Sequence, residues 1–441
     1  MQARATPRNT ELSLLIIAFL LAAGALALVE VADDPDRVSR AIPYIVVLVV
    51  CYVAAHVAVR RTAGRADPLL LPLAALMNAL GVAAVYRLDP TDLGPLQVTW
   101  TVLGIALFIV TLILLKDYRT LAAYKYVLGF AGVGLLLLPI TPLGRTINGA
   151  RLWVGYGDFA FQPGELAKLC LVVFFAAYLA ERKELLAIAS RRLGPFPVPD
   201  IKHFGPLMVM WGISLAVMFF EKDLGSSLLF FSMFLLMIYM ATARSVYLIA
   251  GSGLFAAGAY FGYQAFTHVQ DRVAVWLDVF DPKLIADESY QLAQSMFALA
   301  TGGLFGTGFG QGRPDLIPAA HTDFIFSVLG EELGLLGTSA LVLCFLLMVA
   351  RGLKIALDAR DDFGRLLAAG LTTIFALQTI IILAGVTRLL PLTGITLPFM
   401  SYGGSSLLSN FILIALLIRL SHQTAEQPAP AQTAEILLGG R

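Results

Sequence analysis

Four polar clusters interrupt an otherwise apolar chain, and each has a chemistry open to it. The first is His321-Thr322-Asp323, followed at once by Phe324-Ile325-Phe326 and then by Glu331-Glu332-Leu333-Gly334. A carboxylate at a helix start can cap the helix, but a capping Asp usually precedes polar first-turn residues. Glu331 falls about 80° around a helix from Asp323. Two such carboxylates over one cavity suit a base, a cation site or a proton path. The second cluster runs from Asn148-Gly149-Ala150-Arg151-Leu152-Trp153 to Phe161-Gln162-Pro163-Gly164-Glu165-Leu166-Ala167-Lys168. Pro163 suits a first helical turn, and Glu165 and Lys168, three apart, can pair on one face. That pair either anchors a helix end or lines a site. The third, Glu221-Lys222-Asp223-Leu224-Gly225-Ser226-Ser227, reads as a solvated hairpin tip or as part of a site. The fourth, Pro398-Phe399-Met400-Ser401-Tyr402-Gly403-Gly404-Ser405-Ser406, offers helix-start N–H groups to an anion. Its small residues equally suit close helix packing.

The elements that must position these residues are membrane helices. Of the 441 residues, 58% are hydrophobic and only 14% charged, with a mean hydropathy of +0.81. That composition excludes a water-soluble enzyme, a disordered protein and a nucleic-acid binder. Lys+Arg number 31 and Asp+Glu 30, so net charge points to no polyanionic partner. Twelve apolar stretches of spanning length are expected, at roughly 12–31, 42–59, 68–87, 96–115, 122–141, 163–181, 206–220, 225–241, 245–265, 324–350, 366–387 and 403–420. The fold class is therefore an all-α polytopic integral membrane protein. With the N-terminus placed in the cytoplasm, Lys and Arg favour the inner connections two to one, which puts both termini inside. All four clusters then face the outer side, together with Arg145, Arg151, Lys222, Arg272 and Arg388.

Two outer connections, about 142–162 and 266–323, are long enough to be functional. The second carries aromatics and a Gly302–Gly310 run that reads as a packed loop. Residues 421–441 read as a short disordered tail. Cys51, Cys170 and Cys344 are scattered in apolar runs and make neither a disulfide framework nor a metal site. There is no Walker motif, dinucleotide fingerprint, HExxH or Gly-x-Ser-x-Gly elbow. An outer site cannot rely on ATP. Its chemistry needs a pre-activated substrate, and an anionic lipid fits.

At these motifs the sequence resembles the SEDS family (shape, elongation, division and sporulation), which includes RodA and FtsW. The resemblance is carried by the second and third clusters, Tyr290-Gln291 with Gln294-Ser295, the Gly302–Gly310 run, His321–Phe326 with Glu331–Gly334, and Ser401–Ser406, in order and spacing. It covers roughly 66–420. Gly164 stands where the family usually has Ser, Leu152 where a second Arg or aromatic is common, and Ser226 where Thr is usual. The larger departure is the N-terminus. Family members typically have ten spans, and residues 1–65 add two more ahead of that core.

The resemblance implies a peptidoglycan glycosyltransferase of the bacterial inner membrane that polymerises lipid II beside a class B penicillin-binding protein. The family's essential aspartate maps onto Asp323, its cavity-lining pair onto Glu165 and Lys168, and its Trp onto Trp153. Asp323 would take the proton from the acceptor's 4-hydroxyl, and the donor's anomeric carbon would invert as undecaprenyl pyrophosphate leaves. Arg151, Lys168 or Arg272, with a divalent cation such as Mg or Mn, would offset the leaving charge. Gln294, Ser295, His321, Thr322, Ser405 and Ser406 complete the expected substrate contacts. Asp323 could equally serve as a metal ligand. A lipid II flippase and a non-catalytic scaffold are the competing functions. The short tail and the extra helices favour elongation over division.

Overall fold

The computed structural model describes residues 7–33, 39–147, 150–156, 159–187, 191–193, 196–198, 201–220, 223–282, 284 and 289–426. Every one of the twelve apolar stretches carries helix. They are α1 (Pro7–Asp33), α2 (Ile42–Thr62), α3 (Leu70–Leu88) and α4 (Leu93–Leu114), then a short α5 (Thr120–Ala123) leading into α6 (Lys125–Leu137). A connection with three strands, β1 (Gly144–Ile147), β2 (Ala150–Tyr156) and β3 (Phe159–Phe161), precedes α7 (Gly164–Ala187). The hairpin β4 (Arg191–Leu193) and β5 (Phe196–Val198) precedes α8 (Ile201–Phe220), α9 (Leu224–Thr242) and α10 (Ser245–Ala265). Two helices, α11 (Thr267–Leu277) and α12 (Tyr290–Gly302), fill much of the 266–323 connection. The chain closes with α13 (Ile325–Asp358), α14 (Asp362–Val386) and α15 (Gly404–Glu426).

Helices satisfy their own backbone groups, which is what a hydrocarbon environment demands. Among the described residues, nine helices are long and apolar enough to cross a membrane: α1 to α4, α9, α10 and α13 to α15. The apolar parts of α6 and α8 are shorter, and α7 carries Glu165 and Lys168 near its start. The architecture is thus a multi-pass membrane bundle.

It is not wholly α. The 142–162 connection is a three-stranded antiparallel sheet in the order β1-β2-β3, with Val154 opposite both Gly144 and Phe161. Strand pairing gives this backbone partners that an isolated loop would lack. The tail expectation also changes, because α15 stays helical to Glu426; residues 427–441 lie outside the described set.

α3, α14 and α15 are the most enclosed spans, and α10 is the most exposed. α15 packs on α4, α13 on α14, α6 on α7, and the added pair docks through α1 on α3 and α2 on α4. The three cysteines are free.

Candidate active site

The turn His321–Phe324 precedes α13 and is fixed from below by Phe324, Ile325 and Phe326, all buried. The apolar triplet that made capping an awkward explanation for Asp323 is therefore the anchor of the helix start. Phe324 is the cap residue of α13, and no side chain caps that end. Asp323 stands one residue earlier and remains half-buried. Its oxygen faces the backbone at Gly394, where an added Cβ would meet Asp323 Oδ2 at 3.7 Å. Burial pushes its carboxyl up to about 6, against the lowering influence of the Arg272 guanidinium and a hydrogen bond from Thr322.

Arg272 is held in place by α11. Its Nη1 donates to Leu392 O at 2.7 Å. The end of α11 is clamped by Arg388, whose Nε donates to Trp276 O at 2.7 Å, while Trp276 Nε1 donates back to Arg388 O at 3.2 Å. The same 391–397 segment packs on the start of α9, where a Cβ on Gly225 would come within 2.6 Å of Ile395 Cγ2. Asp223 caps α9 by accepting from Ser226 N at 2.9 Å. Burial raises its carboxyl, opposed by Ser226 and by Arg272. Asp223 is thus not a solvated hairpin tip but a second carboxylate around Arg272; Glu221 and Lys222 lie outside the described residues.

Glu165 and Lys168 pair as their spacing predicts, at 2.5 Å. Lys168 is only 1% exposed and also donates to Gln378 Oε1 at 2.8 Å. Gln378 in turn donates to Thr396 O at 2.9 Å, Thr396 to Ser406 Oγ at 2.9 Å, and Ser409 to Glu165 at 3.0 Å. A polar network therefore ties α7, α14 and α15 to the segment over Asp323. Lys168 is consumed in it, so the cation best placed toward Asp323 is Arg272.

Other expected site residues sit elsewhere. Arg151 Nε donates to Pro139 O and its Nη2 to Thr141 O, each at 2.9 Å, fastening the sheet to the end of α6. Trp153 lies half-buried on β2 opposite Arg145. Ser295 shares a buried hydrogen bond with Ser327 at 2.7 Å, a packing contact between α12 and α13. Gln294 is half-buried on the same α12. Ser405 accepts from Gln162 N at 2.7 Å, and a Cβ on Gly404 would strike the Trp100 ring at 2.2 Å. The α15 start is therefore close packing, and its hydroxyls are engaged within the protein.

His321 lines a cavity of about 360 Å³ with Arg87, Asp89 and Asp315, and its imidazole is pushed down by burial. Glu331 and Glu332 do not join Asp323. Both approach Gly312, and Glu332 accepts from Gly310 N and Gly312 N. Among the described residues no three His, Cys, Asp or Glu side chains gather as a metal-binding group. Sequence reasoning missed Gln378, Thr396 and Ser409; a lone Gln inside the apolar run of α14 was the available signal.

A family model for cell cycle proteins of the FtsW/RodA/SpoVE type matches residues 66–426. The chain is 44% identical over 426 residues to the peptidoglycan glycosyltransferase RodA of Mycobacterium leprae, covering 95% of this chain and 91% of that protein. Among solved structures it resembles a chain of a peptidoglycan synthase complex that coordinates polymerization and crosslinking (TM-score 0.66, 27% identity, 82% of this chain and 99% of that one). It also resembles the rod shape determining protein RodA of Thermus thermophilus (TM-score 0.57, 27% identity, 82% and 98%).

Proposed function

This chain belongs to the FtsW/RodA/SpoVE family, the SEDS proteins, and on that premise we propose that it is a peptidoglycan glycosyltransferase polymerising lipid II during cell elongation, with Asp323 as general base. The observation that carries the assignment is the state of Asp323. It is a half-buried carboxyl held at about 6, facing one guanidinium and not used as a helix cap. A base with that value is mostly ionised at neutral pH yet basic enough to accept a hydroxyl proton.

The acceptor sugar's 4-hydroxyl gives its proton to Asp323 as its oxygen attacks the donor's anomeric carbon. The C–O bond to undecaprenyl pyrophosphate breaks, and the carbon inverts. Arg272, fixed by Leu392 O, would offset the departing charge. In the alternative reading, in which Asp323 is a metal ligand and not the base, Mg or Mn would be held by it together with substrate phosphate oxygens, since such ions bind through one or two carboxylates plus phosphates. When bound it would neutralise the leaving pyrophosphate. The name of the solved Thermus thermophilus protein, rod shape determining, favours a role in cell shape and so elongation over division. The solved complex favours a crosslinking partner, a class B penicillin-binding protein. Twelve spans with both termini cytoplasmic and the site outside agree with the helix order and the Lys/Arg bias.

The test is polymerisation of purified lipid II by the full chain with its partner transpeptidase, wild type beside Asp323→Ala, read as glycan ladders. Ladders from wild type alone support the assignment. Ladders from both move the base elsewhere. A folded, assembled pair that makes none returns the function to lipid transport or scaffolding.

A further inference from the structure

α1 and α2 lie ahead of the family-matched residues 66–426. Near the middle of α2 sits Tyr52, fully buried. Its hydroxyl donates to Asn78 Oδ1 on α3 at 2.9 Å, and Asn78 Nδ2 donates to Thr101 Oγ1 on α4 at 3.2 Å. Thr101 donates to Gln97 O one turn back at 2.9 Å, and Gln97 Nε2 donates to Ser401 O at 3.3 Å. Ser401 Oγ then donates at 2.6 Å to the carbonyl of Thr322, the residue before Asp323. Tyr52, Asn78 and Gln97 are each 0% exposed. In a bundle interior a broken link strands a polar group with no water to replace its partner.

A second route reaches the same place through rings. The Tyr52 ring lies 6.4 Å from Phe411, which meets Phe399 edge-on at 5.3 Å. Phe399 has φ +65, a left-handed conformation that a bulky side chain keeps only when its surroundings hold it there. The same turn is pressed against α3 at Gly81, where a Cβ would come within 2.6 Å of Met400 Cα. The hydrogen-bonded route ends at Ser401 and the aromatic route at Phe399, two residues apart in one turn.

We propose that Tyr52, on the helix pair outside the family core, is a positioning residue for glycosyl transfer: it fixes the 397–402 turn, and Ser401 transmits that placement to the Thr322–Asp323 backbone. The inference rests on Asp323 being the base. Tyr52 touches no substrate. It acts through the distance between Asp323 and the acceptor hydroxyl, to which rate is steep.

The experiment measures lipid II polymerisation kinetics by the full chain with its transpeptidase for wild type, Asp323→Ala, Tyr52→Phe, Tyr52→Ala and the double variant Tyr52→Phe/Asn78→Leu, each with a thermal melt. Tyr52→Phe keeps the rings and loses the hydroxyl; kcat is expected to fall about 3–10-fold with KM for lipid II unchanged. Tyr52→Ala loses both routes and should fall about 30-fold or more. The double variant separates positioning from stability. Removing both partners of a buried hydrogen bond restores stability, so its melt should return toward wild type while kcat stays low. The proposal is overturned if kcat recovers with the melt, or if both single variants turn over at the wild-type rate. A wild type that makes no polymer overturns the assignment of function itself, whereas active wild type beside silent Asp323→Ala leaves that assignment standing whatever the Tyr52 variants do.

Discussion

Glu332 and Asp323 lie nine residues apart at the same end of α13 and have opposite surroundings. Glu332 is 2% exposed and fully engaged: it accepts from Gly310 N at 2.9 Å and Gly312 N at 3.3 Å, and Arg87 lies 3.7 Å away. Asp323 has a hydrogen bond from Thr322, the nearby charge of Arg272, and an oxygen turned to the space beside Gly394. Both are acidic residues in an apolar setting, so burial alone does not mark the reactive one. A carboxylate whose lone pairs are taken up by backbone N–H groups is folding a loop. One left with accepting capacity is available for chemistry.

The contrast breaks most visibly at Asp323. Asp323→Ala should lower polymerisation by at least about 10²–10⁴, the usual worth of a general base, while its melt stays at or above wild type. Glu332→Ala should do the reverse. It leaves the buried Gly310 and Gly312 N–H groups without their acceptor, so unfolding stability should drop by about 2–4 kcal/mol, with turnover per folded molecule near normal in a denaturation and rate series. Arg272→Gln removes the charge that lowers the Asp323 carboxyl. The acid limb of the pH–rate profile, expected near about 6 in wild type, should then move to higher pH.

Asp323→Asn sharpens the comparison on the stability side. The folded carboxyl binds its proton more tightly than the unfolded one, whose ordinary value is 3.8. Its contribution to stability is therefore full below 3.8 and lost as pH rises through about 6. At neutral pH the ionised group costs stability, so the Asn variant should melt higher than wild type at pH about 7 and alike at pH about 4. The smallest effect belongs to Ser295→Ala, which removes one hydrogen bond to Ser327. About 1 kcal/mol of stability should be lost with polymerisation intact.

The helices were legible because an apolar run of spanning length has few alternatives. Even the stretches at 206–220 and 225–241, with only four residues between them, form separate α8 and α9. The reach of Glu165 to Lys168 was legible because a spacing of three fixes it. The sheet at 144–161 was not, since its strands are short and carry no long alternation of polar and apolar residues. Nor was the division of labour between cations. Arg151 and Arg272 look alike in sequence, and only the fold shows one spent on Pro139 and Thr141 and the other on α11 facing Asp323. Asn78, Gln97 and Gln378 were hidden for a related reason. A single polar residue in an apolar helix announces a partner without saying which helix supplies it.

The break in α13 divides one helix into two parts with different company. Gly334 has φ +65 inside the helix, and the Gly-rich loop pairs with the backbone there: Thr307 N to Glu331 O at 2.9 Å, and Leu335 N to Gly303 O at 2.9 Å. Ile325 to Glu332 are all buried, while Leu335 is 61% and Leu336 54% exposed. The uncharged stretch past the break, Leu335 to Ala350, reaches only about 24 Å at ~1.5 Å per residue, short of a hydrocarbon layer of about 30 Å. The segment before the break must therefore complete the crossing, and it does so sheathed in protein. Asp323 precedes this sheathed tip, so the carboxylate is carried by the packed part of the helix and not by its exposed shaft.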